Sequence, residues 1–234
     1  METYWLEQTE TDLPPHDDWL SSGEAALLSR MRFAKRRADW RLGRWTAKCA
    51  AAVYLALPRD PRSLREIVVR PAPSGAPELF VVNRPAAVTI SISHRVGIAV
   101  CAIAMCGVAL GCDLELIETR SGSFVADYFT SKEQELILRE PEEDRPRLAA
   151  VLWSAKESTL KALREGLRLD TRCVAVTFDT QTNHEHAAGW QPLQVCCARG
   201  EILQGWWQST GQLVRTLVSA PAPLPPLFLR CRAA

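Results

Sequence analysis

The chain has 234 residues, 47% apolar and 24% charged, enough for a substantial core and incompatible with a disordered polymer. Its 28 basic and 27 acidic residues leave a formal charge of +1, without the basic excess of a general nucleic-acid binder. Eight cysteines show no C-x-x-C spacing and mostly sit in apolar runs, so they read as reduced small hydrophobes rather than a zinc site.

The acidic N-terminus, starting Met1-Glu-Thr-Tyr-Trp, has neither the basic nor the apolar region of a secretory signal, so a soluble, cytoplasmic protein is expected. After a Pro- and Asp-rich entry, Ser21 or Ser22 can cap a helix with Glu24 in its first turn, and helical character continues from Met31 to Leu57 until Pro58 and Pro61 end it. Strands are predicted over Leu64–Arg70, Glu78–Val82, Val88–Ser93, Ile98–Met105 and Val108–Ile117, separated by Pro, Gly and Asn. The apolar run from Val96 to Leu116 is long enough to raise a membrane span. Its β-rich composition, its glycines, and Asp113 and Glu115 near one end favour paired core strands.

Helical blocks follow over Val125–Glu140, interrupted near Ser131, and over Arg147–Glu165. Strands are then expected over Cys173–Phe178, Leu193–Ala198 and Leu213–Ser219, and the Pro-rich tail from Ala220 reads as an extended strap. Long helices alternating with hairpin-like strands make the class α+β. A faint repeat, Arg44-Trp-Thr-Ala-Lys48 against Leu152-Trp-Ser-Ala-Lys156, favours two related halves, drawn at 1–107 and 108–234.

Two segments carry chemistry. In Leu110-Gly-Cys-Asp-Leu-Glu115, alternate strand residues share a face, which places Asp113 and Glu115 on one side, roughly 7 Å apart. In Trp153-Ser-Ala-Lys-Glu-Ser-Thr-Leu-Lys161, Glu157 and Lys161 lie one helical turn apart. If strand and helix pack together, three carboxylates and an ammonium converge, a set of hard oxygen ligands suited to Mg²⁺ with a substrate phosphate.

Arg37, Arg41, Arg44 and Lys48 fall within a ~60° arc of one helix, a stripe that is either a solvated face or an anion site. Ser93, His94 and Arg95 end a strand before Gly97 and can all donate to a phosphate. His184-Glu-His186 has no third ligand nearby and reads as a solvated loop.

Together these pieces resemble the 4′-phosphopantetheinyl transferases of the larger, monomeric Sfp-type. That family's pattern is an apolar-Gly-x-Asp-x-Glu segment followed some forty residues later by Trp-Ser-x-Lys-Glu-x-x-x-Lys. Both segments stand here, with the upstream Ser93-His94 and the basic helix through Arg44, and the resemblance runs from about residue 30 to 178.

The resemblance implies two similar α+β halves in a pseudo-twofold pair, with the active site at their junction. It also implies Mg²⁺-dependent transfer of the phosphopantetheine arm of coenzyme A to a serine of an apo acyl or peptidyl carrier protein, releasing adenosine 3′,5′-bisphosphate. Asp113, Glu115 and Glu157 would be the ligands of Mg²⁺, or of Mn²⁺. Lys161 would neutralise the pyrophosphate, with Lys156 beside it in the same motif. Ser93 and His94 would bind a coenzyme A phosphate, and Arg37, Arg44 and Lys48 the nucleotide phosphates.

Glu157 or a metal-bound water would be the base. Where many relatives carry Gly-Lys-Pro, this chain has Gly75-Ala76-Pro77, leaving Arg70 or Arg84 to substitute, or a lower phosphate affinity. The carrier is expected to dock near Phe124, Val125, Tyr128 and Phe129, edged by Arg120 and Lys132. No nucleic acid or membrane partner is expected. Two other readings use the same acidic triad: a Mg²⁺-dependent nuclease or phosphodiesterase with water as nucleophile, and a structural cation site in a protein-binding module.

Overall fold

The computed structural model describes residues 1–178 and 189–230, so the His184-Glu185-His186 stretch and Cys231 lie outside the described residues. In chain order the elements are β1 (Tyr4–Thr9), α1 (Ser22–Ser29), α2 (Ala34–Tyr54), α3 (Pro61–Arg65), β2 (Ile67–Pro71), β3 (Pro77–Val81), β4 (Arg84–Pro85), β5 (Val88–Arg95) and β6 (Ile98–Met105). They continue with β7 (Ala109–Leu116), α4 (Gly122–Tyr128), α5 (Ser131–Arg139), α6 (Arg145–Ala162), β8 (Val174–Phe178), β9 (Gln191–Cys197), β10 (Ile202–Thr210), β11 (Leu213–Ala220) and β12 (Leu227–Phe228). The class is α+β. Among the described residues no helix is long and apolar enough to cross a membrane.

The chain divides into two compact units, Thr3–Val108 with Leu227–Ala234, and Ala109–Pro226 with Met1–Glu2. A cut into 1–107 and 108–234 therefore leaves out the exchanged ends. In the first unit α2 packs on the sheet β12-β1-β6-β5, and β2-β3-β4 form a second small sheet. Ala50, Ala51 and Ala52, all fully buried, let this helix approach Cys101 and Ile103 closely. In the second unit α6 packs on the five-stranded sheet β7-β11-β10-β9-β8. The tail is extended as expected: Trp206 Nε1 donates to the Pro223 carbonyl at 3.0 Å and Leu224 N to that of Met1 at 2.7 Å. Its end, β12, then pairs in parallel with β1.

One expectation needs correction. Leu64 and Arg65 belong to α3, because the Asp60 carboxylate accepts from the amides of Arg62 and Ser63 and Pro61 occupies the first helical turn. Proline is pre-organised there and starts a helix rather than ending one. Strands β1 and β10 carry no prediction. In β1 the inward positions are Leu6 and Gln8, and in β10 Gly205 interrupts the pattern, so neither shows a clean apolar alternation.

The short repeat has a physical basis. Lys48 of α2 is fully buried, and its Nζ donates to Glu24 Oε2 at 2.7 Å and to the carbonyls of Trp19 and Leu64 at 3.0 and 3.1 Å. Lys156 of α6, also fully buried, donates to Glu133 Oε2 at 2.9 Å, to the Thr171 carbonyl at 2.9 Å, and to that of Val174.

Each glutamate closes a capping box, Ser21/Glu24 on α1 and Thr130/Glu133 on α5. Each also accepts a strand amide on Oε1, Val69 at 3.3 Å and Val176 at 2.9 Å. In both units one Glu–Lys pair thus joins a short helix, a long helix and a strand. Every ammonium proton has an acceptor, which offsets the cost of removing the charge from water. Burial pulls both lysines below the ordinary ammonium range, against the attraction of their glutamates.

Candidate active site

The second unit places its chemistry where α6 lies across β7. Gly111 makes this approach possible, since a Cβ there would fall 1.7 Å from the Ser158 carbonyl oxygen. Gly111→Ala is therefore expected to cost about 3 kcal/mol or more, read as a lower urea midpoint, because backbone rather than a flexible side chain must move. A fully stable variant would show that α6 can retreat without penalty.

One residue pair along the strand, Asp113 is buried, and Lys161 Nζ donates to its Oδ1 at 2.7 Å and to the Cys112 carbonyl at 3.1 Å. Burial opposes the charge on Lys161, but the carboxylates of Asp113 and Glu157 hold its ammonium above the usual lysine value. The half-buried Glu157 is pushed up, first by burial and then by Asp113 and Glu115, with Lys161 pulling the other way.

A carboxyl raised in the folded state favours folding only while protonated, and that contribution is lost as pH rises through its folded value. Glu157→Gln should accordingly raise the melting temperature of the metal-free protein at neutral pH. The gain should vanish below the ordinary glutamate range, where the wild-type side chain is protonated in both states. A pH-independent difference in thermal melts would contradict this.

Glu115 is oriented from two sides. Trp153 Nε1 donates to its Oε1 at 3.2 Å and Arg120 to its Oε2 at 3.0 Å. Sequence reasoning assigned neither role. Trp153, Glu157 and Lys161 recur every four residues on one helical face, a spacing that offers the signal for the indole. The pairing of Arg120 with Glu115, five residues earlier, has no comparable signature.

Arg120 also binds Glu118 at 2.9 Å and stacks on Phe124, 5.0 Å from the ring centroid, so it is not the uncommitted rim charge expected for docking. Phe129 is fully buried, and Phe124 packs against Trp153 at 5.0 Å and Tyr128 at 4.7 Å between centroids. Most of the expected docking segment thus backs the indole that holds Glu115.

Among the described residues no three His, Cys, Asp or Glu side chains are gathered into a ready-made metal cage. The donor set nevertheless fits a hard divalent cation. Asp113 and Glu115 lie close enough to Glu157 to raise its proton affinity, a repulsion that a bound cation relieves.

In the first unit the basic stripe is graded rather than uniformly open. Arg37 is exposed, Arg41 pairs with Asp17 at 2.6 Å, and Arg44 lies over the Trp40 ring at 4.9 Å, lowered by burial against the pull of Glu24. Lys48, at the inner end, is spent on Glu24, and Lys156 in the second unit on Glu133. Both are corrected to structural roles, since an interior ammonium with three acceptors has no proton left for a phosphate.

Ser93 and His94 point to opposite faces of β5, as adjacent strand residues must. Exposed His94 lies on the α2 side, its Cδ2 3.7 Å from where a Cβ on Gly43 would sit, next to Arg44, whereas Ser93 is buried. Of the proposed substitutes for the lysine missing at Ala76, Arg70 is held by Asn83 Oδ1 at 3.0 Å and stacks on Phe80, while Arg84 is exposed.

Residues 109–203, which include β7 and α6, match the family model of the 4′-phosphopantetheinyl transferase superfamily. The chain is also 26% identical over 212 residues, 87% of its length and 86% of the relative's, to the 4′-phosphopantetheinyl transferase HetI of Nostoc sp. (strain PCC 7120). The carboxylate pair on β7 and the Trp-Ser-x-Lys-Glu helix packed against it both lie inside the matched segment, so it is over its chemistry-bearing elements that the chain is similar to the 4′-phosphopantetheinyl transferase superfamily.

Proposed function

We propose that this chain transfers the 4′-phosphopantetheine arm of coenzyme A to a serine of an apo carrier protein, as a cytoplasmic, monomeric, Mg²⁺-dependent enzyme of Sfp-type. The observation that carries the reading is the placement of Asp113, Glu115, Glu157 and Lys161 on β7 and α6 within the matched segment. Two units that each contain a buried Glu–Lys pair in one chain support the larger type.

Asp113, Glu115 and Glu157 would hold Mg²⁺ (or Mn²⁺), which when bound supplies charge stabilisation to the pyrophosphate. Lys161, fixed by Asp113 and the Cys112 carbonyl, has one remaining ammonium proton to donate to a phosphate oxygen. His94 with Arg44 and Arg37 supplies further phosphate donors. The carrier serine oxygen bonds to phosphorus as the bond to adenosine 3′,5′-bisphosphate breaks. Glu157, on the helical turn before Lys161, would accept the serine proton.

The test is mass spectrometry of apo carriers after incubation with coenzyme A and Mg²⁺, where a gain of one phosphopantetheine is expected. Absence of any gain across acyl and peptidyl carriers would overturn the reading. Thermal protection by DNA but not by coenzyme A would favour a nuclease. His94→Ala should raise the coenzyme A KM on the order of 10-fold and leave the carrier KM unchanged. The reverse pattern would move His94 to the carrier surface.

A further inference from the structure

Thr216 lies on β11 directly opposite Asp113, so the two side chains share the sheet face that receives α6. It falls outside the segment matched by the family model and has no counterpart in the sequence motifs. Its Oγ1 sits 2.6 Å from Ser158 Oγ and 2.9 Å from Ser154 Oγ, and Ser158 Oγ also lies 3.3 Å from the Thr216 carbonyl oxygen. Ser154 and Ser158 are fully buried and Thr216 is 2% exposed. Three hydroxyls in a dry interface are costly unless they satisfy one another. One arrangement does so: Ser154 donates to Thr216 Oγ1, Thr216 donates to Ser158 Oγ, and Ser158 donates to the Thr216 carbonyl.

The two serines are one turn apart, so a single strand residue grips α6 at successive turns. Such a grip sets both the rotation and the axial position of the helix, since one residue of slip would turn it ~100° and shift it ~1.5 Å. Glu157 is the neighbour of Ser158, and Lys161, one turn beyond Glu157, reaches Asp113. Gly111 brings the backbones together but has no group that could fix their register.

We infer that Thr216 is a positioning residue of the carboxylate site, holding Glu157 and Lys161 in phase with Asp113 through the hydroxyls of Ser154 and Ser158. The inference deepens the proposed function and rests on it for the identity of the cation and substrates.

The test compares Thr216→Val, which keeps shape and removes the hydroxyl, with Thr216→Ser, which keeps it. Mg²⁺ binding is measured by calorimetry on the full chain without substrates, and kcat and both KM values in the transfer assay. Thr216→Val should stay folded, weaken Mg²⁺ binding and lower kcat, each on the order of 10-fold, with the carrier KM unchanged. Thr216→Ser should restore both. Unchanged Mg²⁺ affinity and kcat in a folded Thr216→Val, or no recovery in Thr216→Ser, would overturn the role. If Thr216→Val does not fold, Ser154→Ala cuts one arm of the clasp and is judged by the same two readouts. Lack of transfer by the wild-type chain would defeat the proposed function alone, because Mg²⁺ binding is read without it.

Discussion

Asp113→Asn is expected to lower transfer by at least about 100-fold, with Mg²⁺ binding weakened in parallel. Of the three proposed cation ligands, Asp113 is the one that accepts a hydrogen bond from Lys161 Nζ, at 2.7 Å on its Oδ1 among the described contacts. Asparagine keeps the size and one acceptor for that ammonium, so the loss of stability should be only about 1–2 kcal/mol. Alanine is a poorer test, because it would leave Lys161, with 28% of its side chain exposed, without its carboxylate. Turnover close to wild type at saturating Mg²⁺ would remove Asp113 from the proposed ligand set.

Lys156→Met should act on the fold instead. It removes the cation paired with Glu133, a carboxylate 3% exposed, and breaking such a buried pair costs about 3–5 kcal/mol. For a chain of this length that is a fall in Tm of roughly 10 °C, measurable in a thermal melt of the metal-free protein. The double variant Lys156→Met with Glu133→Gln should recover part of the loss, because no lone charge remains buried. Wild-type stability in the single variant, together with a raised coenzyme A KM, would return Lys156 to the phosphate site.

Glu133 and Lys156 show why motif residues can be legible while their roles are not. Lys156 and Lys161 stand five residues apart on one helix, both adjacent to or one turn from Glu157, and both are basic. On a helix that spacing turns them far from each other, so one faces Asp113 on β7 and the other enters the core beneath α5. Lys48 at the inner end of the Arg37–Arg44 stripe follows the same logic, its carboxylate coming from Glu24 on another helix. Periodicity identifies a face. It does not say whether that face meets water, a ligand or an acid from elsewhere in the chain.

The α+β class, most strand and helix positions and the carboxylate pair on β7 were determined by the sequence itself, because alternation, helical spacing and turn residues are local properties. Tertiary structure decided the rest. It set the close crossing of α6 over β7 at Gly111, the hold of Arg120 and Trp153 on Glu115, and the choice of His94 rather than Ser93 for the α2 side of β5. It also set the hydroxyl clasp of Thr216 with Ser154 and Ser158, whose members lie 62 and 58 residues apart along the chain. Such contacts depend on which elements pack together, and no local pattern encodes a partner that distant.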